Sequence, residues 1–223
     1  MADRRRWAAA CSTAALLTLA ACGGTSTSDD AVVSGFSESG DDGMHGAILT
    51  EPYTWPEATL VDTTGEDVEL RAALEEPLTL VFFGYTQCPD ICQAVMADLA
   101  SATARLDESD AAAVDTWFIT TDPARDDPET LRAYLDRFDP DFEGMTGPLP
   151  DIVAVGKAVH VGIDKGAELP SGGYEVNHGT PILGVTPDGE VPILWTEGTS
   201  AQKLAEDIQA ILSEGLPPIE EGS

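Results

Sequence analysis

The chain has 223 residues, 43% of them hydrophobic, with 11 basic against 40 acidic side chains and a formal net charge of −29. The apolar share suits one globular domain with a substantial core. The charge argues against nucleic acid as a partner, because phosphate binding needs basic patches. A solvated acidic surface is the plain reading, and it is compatible with a field that attracts cations or a basic partner face.

The N-terminus reads apart from that domain. Arg4, Arg5 and Arg6 form a positive start, residues 7–21 are mostly apolar, and the stretch closes on Leu19-Ala20-Ala21-Cys22-Gly23. This run is shorter than the ~20 residues of a membrane span, and small residues mark a cleavage site. Small residues before a cysteine resemble a bacterial lipobox. That implies a lipoprotein signal peptide over 1–21, a lipid on Cys22, and a mature protein outside the cytoplasm, held on the cell membrane by lipid alone. Cys11 leaves with the leader, so Cys88 and Cys92 are the two cysteines left for chemistry.

Residues 22–46 are rich in Gly, Ser and Asp and read as a flexible acidic tether. Met44 and His45 at its end could bind copper, but incidental residues of a spacer are the plainer reading. The domain is expected over 47–215, with a loose tail over 216–223. "ATLVDTTGEDVEL" (58–70) reads as two short strands around a turn, and 71–74 as a short helical turn. "PLTLVFFGY" (77–85) is a continuous apolar run, the pattern of a strand buried on both faces. Pro89 suits a first helical turn, and 90–108 carries Ile91, Val95, Leu99 and Leu106 at helical spacing. Residues 115–123 read as a second buried strand. A helix over 126–138 is marked by its acidic, Pro-containing start, and another is expected over 150–163. Strands flank the Pro-Asp-Gly turn at 187–189, and a closing helix runs from Ser200 to Gly215. Strands alternating with helices, then a late hairpin and a final helix, describe an α/β sandwich with a mixed sheet.

Cys88 is placed just past the carboxyl end of the 77–85 strand, where open α/β sheets bind ligands, and the mouth of a helix favours a thiolate there. Cys92 follows one helical turn later on the same side. Dithiol redox catalysts usually carry Cys-x-x-Cys, and this is Cys-x-x-x-Cys. A disulfide requires the first turn to adjust; a metal clamp needs less distortion. Two soft sulfurs favour Cu(I), with Zn(II) as competitor, and two ligands are too few for structural zinc. A third ligand must come from elsewhere. His45 lies in the tether and His160 on the apolar-patterned 150–163 helix. His178, in "YEVNHGTP", is expected on a loop beside the sheet next to Gly179. Asp90 could accept a hydrogen bond near the site or help hold Cu(II), or simply suit the first helical turn. Asp122 reads as a turn-former before Pro123 at the same sheet edge. Phe82, Phe83 and Trp117 read as core.

"GYTQCPDIC" (84–92), "TTDPARDDPETLRAYLDRF" (120–138), "FEGMTG" (142–147) and "NHGTPILGVTPDGEV" (177–191) occur in that order and together resemble the Sco/SenC family over residues ~55 to 213. The resemblance implies a thioredoxin-like fold with an extra hairpin, so a central mixed sheet with an N-terminal β-hairpin extension and a late hairpin insertion. It also implies a site for Cu(I) or Cu(II) made of Cys88, Cys92 and His178. The implied role is assembly of the binuclear copper centre of cytochrome c oxidase subunit II, or supply of another copper-receiving envelope protein. Some family members deliver copper and others reduce the target's cysteines, so a thiol-disulfide oxidoreductase using Cys88 and Cys92 is the alternative. The chain has Gln87 and Gln93 where the family often has histidine and proline.

Overall fold

In the computed structural model of this chain, residues 43–89, 91–168 and 174–217 are described, with the backbone alone over 165–168 and 174–178. Cys22, Asp90 and the signal stretch lie outside the described residues.

Among the described residues ten strands and five helices follow in the order β1 (Ala47–Thr54), β2 (Thr59–Asp62), β3 (Asp67–Glu69), β4 (Leu78–Gly84), α1 (Ile91–Thr103), α2 (Glu108–Ala111), β5 (Val114–Thr120), α3 (Pro128–Leu135), β6 (Glu143–Thr146), α4 (Leu149–Ala158), β7 (Ile163–Glu168), β8 (Tyr174–His178), β9 (Ile182–Val185), β10 (Glu190–Trp195) and α5 (Ala201–Glu214). Eight strands form one sheet in the order β1-β10-β9-β4-β5-β6-β2-β3. β4, β5 and β6 run parallel, and the other pairs are antiparallel, so the sheet is mixed, as expected. The β2–β3 hairpin extends it at one edge, and β7 and β8 make a separate two-stranded ribbon.

β4 shows why the 77–85 run is mostly apolar. Leu78, Leu80 and Phe82 face a core shared with α1, α3 and α5, while Val81 and Phe83 face a second core shared with α4. Alternate side chains leave a strand on opposite faces, so a strand covered on both sides is apolar at nearly every position; Thr79 is the polar exception, and it is fully buried. Phe82, Phe83, Phe118 and Trp117 are at most 1% exposed, and full burial of each contributes about 2–3 kcal/mol.

The helix ends follow their local chemistry. Asp127 accepts the Thr130 N–H at 2.8 Å ahead of Pro128, and Ser200 opens α5 by accepting from Lys203. Such caps are worth about 1 kcal/mol each. Gly189 closes the Pro-Asp-Gly turn at φ +74°, a conformation costly for any residue with a Cβ.

Three strands were not anticipated. β1 contains Pro52 and breaks register between Ile48 and Tyr53, so it lacks alternation. β6 has only four residues. β7 begins inside the apolar run read as helix 150–163. That helix ends at Ala158, and His160 takes φ +58° with its ring 4.4 Å from that of Tyr53. His160 is therefore beyond a helix end rather than on a helix face. The helix over 90–108 likewise stops at Thr103, and a separate turn, α2, follows.

Candidate functional site

The parallel strands β4 and β5 end side by side at Gly84 and Thr120. From there the chain turns through Tyr85, Thr86 and Gln87 to Cys88 and enters α1 at Ile91. The Cys88 N–H donates to the Tyr85 carbonyl at 3.1 Å. The Cys92 N–H donates to Cys88 Sγ at 3.4 Å, so the first sulfur accepts one of the amides that a helix start leaves without a partner. Both cysteines are free thiols and buried, Cys88 with 6% of its surface open and Cys92 with none.

Gly84 makes this approach possible. A methyl group there would lie 2.8 Å from the Phe118 ring, 2.9 Å from the Phe82 ring and 3.1 Å from Cys92 Sγ. Burial pushes the Cys92 thiol far up from its ordinary value, and the hydrogen bond with Cys88 adds to it. The Tyr85 hydroxyl is raised by burial and then by the two sulfurs. Tyr134 is raised by burial first, then by Cys92 and Cys88. Its hydroxyl is buried and has no hydrogen-bond partner among the described residues.

The rim is held by residues that follow β5. Asp122 is fully buried; its N–H donates to Thr120 Oγ1 at 3.0 Å, and its carboxylate pairs with Arg125 Nε. The Arg125 guanidinium lies 5.9 Å from the centre of the Tyr85 ring. Asp122 thus forms a turn and also reaches the site edge. Asp126, likewise fully buried, accepts from Thr86 N at 2.9 Å, Thr86 Oγ1 at 2.5 Å and Thr120 Oγ1 at 2.7 Å. By sequence Asp126 belongs to the acidic start of the 126–138 helix, but that helix begins at Pro128 with Asp127 as its cap. The Asp-Asp-Pro run offers two carboxylates, and only the second is the cap.

The three histidines separate. His45 packs at the surface, its Nε2 3.0 Å from Glu206, while its N–H and that of Gly46 donate to the buried carboxylate of Asp207. Met44 is 7% exposed and belongs to the core. His178 is the last residue of β8, its Cα opposite that of Ile163, and so lies on a strand rather than on a loop. The following Gly179 N–H donates to the Gly162 carbonyl at 3.0 Å. Among the described residues no group of three His, Cys, Asp or Glu side chains is arranged to hold a metal ion. The His178 side chain and Asp90 are outside that set. Two adjacent soft sulfurs nevertheless fit a Cu(I) ion by donor chemistry.

The SCO1/SenC family model matches residues 50–213, from β1 to the end of α5. The chain belongs to the SCO1/SenC family. It is 32% identical over 151 residues to the mitochondrial SCO2 homologue of Danio rerio, a match covering 67% of this chain and 54% of that protein. The chain spans about half the length of the curated relatives it matches. The solution structure of apo Sco1 from Thermus thermophilus superposes with a TM-score of 0.69 at 26% identity, covering 78% of this chain and 99% of that one. The copper-bound structure of ScoI from Bradyrhizobium japonicum gives 0.61 at 30% identity, over 71% of this chain and 96% of that one. The thioredoxin-like SCO1/SenC architecture expected from the sequence is therefore the one present. Among the described residues no helix is long and apolar enough to cross a membrane.

Proposed function

We propose that this SCO1/SenC protein is an extracytoplasmic copper metallochaperone, anchored by lipid on Cys22. It binds copper through Cys88, Cys92 and His178 and serves assembly of the copper centre of cytochrome c oxidase subunit II. The observation that carries the reading is the pair of buried cysteines outside any disulfide just past β4, where Cys88 Sγ accepts the Cys92 N–H. Copper bound to the Bradyrhizobium japonicum ScoI supports the choice of metal. In this reading the thiolates hold the ion in a partly buried pocket, and His178 supplies the third donor from the β7–β8 ribbon. Asp90 sits between the cysteines in sequence and can tune the harder Cu(II) form.

Anaerobic titration of the reduced chain with Cu(I) tests it. Binding near 1:1 is expected, abolished by Cys88→Ser and weakened at least about tenfold by His178→Ala. Unchanged affinity in the histidine variant removes the three-ligand site. Metabolic labelling with a fatty acid, lost in Cys22→Ala, tests the anchor.

The second reading is a thiol-disulfide oxidoreductase that keeps envelope cysteines reduced. The inequality of the two thiols favours it: one is at the edge of the site, and the other is fully buried with its thiol pushed up. That suits one attacking and one resolving sulfur. Disulfide reduction that survives His178→Ala and fails in Cys88→Ser is its signature.

A further inference from the structure

Asp126 does not touch either sulfur, yet the segment that holds both of them hangs on it. The Tyr85 carbonyl accepts the Cys88 N–H at 3.1 Å, and Cys88 Sγ accepts the Cys92 N–H at 3.4 Å. The next residue, Thr86, is fixed twice to the Asp126 carboxylate, by its N–H at 2.9 Å and its hydroxyl at 2.5 Å. The carboxylate is itself anchored from below by Thr120 Oγ1 at 2.7 Å, at the end of β5. The Asp126 carbonyl accepts Thr146 Oγ1 at 3.0 Å from β6, and its N–H reaches the Asp122 carbonyl at 3.0 Å. A fully buried carboxylate is costly unless it is hydrogen-bonded, and this one spends two of its three side-chain bonds on a single loop residue. Bonds to an ionised acceptor are short and strong.

We propose that Asp126 is the positioning residue of the cysteine pair: through Thr86 it holds the Tyr85–Cys88 turn in the dithiol arrangement and so sets the sulfurs' readiness to take a metal or to oxidise. The copper part of this rests on the metallochaperone reading; the redox part does not. The linkage is directional. Losing the Thr86 bonds frees the turn to adjust, and that adjustment is what a Cys-x-x-x-Cys disulfide requires. Oxidation of the dithiol, which forms the S–S bond and gives two electrons and two protons to an external disulfide such as oxidised glutathione, therefore becomes easier.

The experiment compares full chains carrying Asp126→Asn, Thr86→Val, Thr86→Ser and Thr146→Val. Two readouts are used: the dithiol–disulfide equilibrium against glutathione, and Cu(I) affinity by competition with a chromophoric chelator. Thr86→Val should shift the equilibrium towards the disulfide by about tenfold, a potential about 30 mV more negative, and weaken Cu(I) binding by a similar factor. Asp126→Asn should do at least as much where it folds. Thr86→Ser restores the hydroxyl and should match the parent. Thr146→Val removes a bond to the same residue without touching the turn, and should lower thermal stability alone. The proposal is overturned if Thr86→Val leaves the potential unchanged, if Thr86→Ser fails to restore it, or if Thr146→Val shifts it equally. Absence of Cu(I) binding to the parent chain overturns the copper reading, and the redox comparison still decides the role of Asp126.

Discussion

The amide of Cys92 donates to the sulfur of Cys88 across 3.4 Å. Most helices satisfy their first amides with a hydroxyl or carboxylate oxygen; here a thiol takes part in that duty. The sulfur that starts the helix is thereby oriented by the backbone, and the second sulfur, one turn on, is brought against it. The two cysteines form one unit without a covalent bond.

That unit is asymmetric, and the asymmetry is measurable. Cys92 has no exposed surface, and its thiol is pushed far up by burial, whereas Cys88 has an open edge. Brief iodoacetamide treatment of the reduced chain near pH 8 should label Cys88 at least about tenfold faster than Cys92. Mass spectrometry of the peptide spanning both reads the ratio, and equal labelling would contradict the burial described.

Gly84→Ala tests the close approach beneath the pair. The added methyl group meets two ring atoms inside 3.0 Å and the Cys92 sulfur at 3.1 Å. Overpacking of this kind costs about 1–3 kcal/mol. A lower urea midpoint is expected, with an unchanged slope, together with weakened Cu(I) binding because the sulfur must move.

Asp207→Asn tests the contact that fixes residues 45 and 46 to β10 and α5. The buried carboxylate accepts the His45 and Gly46 N–H groups and the Trp195 indole N–H, the last at 2.7 Å. An amide has one acceptor oxygen and brings two donors into a site already full of donors. A loss of about 2–4 kcal/mol is expected, and limited proteolysis should cut near residue 45 faster than in the parent.

Asp115, at the start of β5, has its carboxyl raised by burial and then by Glu76 and Glu75. Such a group binds more protons folded than unfolded. It therefore lowers stability above its folded value and stops doing so as the pH falls through the unfolded value of about 3.9. Asp115→Asn should raise the melting temperature at pH 7 by about 1–2 °C, a gain kept small by solvent screening. The gain should hold at neutral pH and shrink once the pH falls through the raised folded value, vanishing below the unfolded value of about 3.9. A gain that grew on acidification would reverse the sign argued here.

Local pattern was enough for β4, β5, α3 and α5, because each carries its own signal: a stretch dominated by apolar and β-branched residues, or a cap followed by 3.6-residue spacing. It failed at β1, β6 and β7. β1 is interrupted by Pro52 and a register break, β6 is four residues long, and β7 continues an apolar run that His160 turns out of the helix. The same limit applies to the site. Cys88 and Cys92 were legible because they are four residues apart at a strand–helix junction. Asp126 was not, since nothing in "ARDDPE" says which carboxylate caps the helix and which is drawn under the neighbouring loop.

By itself, then, the order of residues determined the buried central strands and the paired thiols, which rest on short-range periodicity and spacing, and it carried the motifs that resemble the SCO1/SenC family. Only the folded chain decided that β5, the segment after it and β6 bring Thr120, Asp126 and Thr146 together beneath the turn that follows β4. Those contacts join residues up to 40 positions apart, and they exist because parallel strands end at one edge of a sheet, a relationship that no local window of sequence contains.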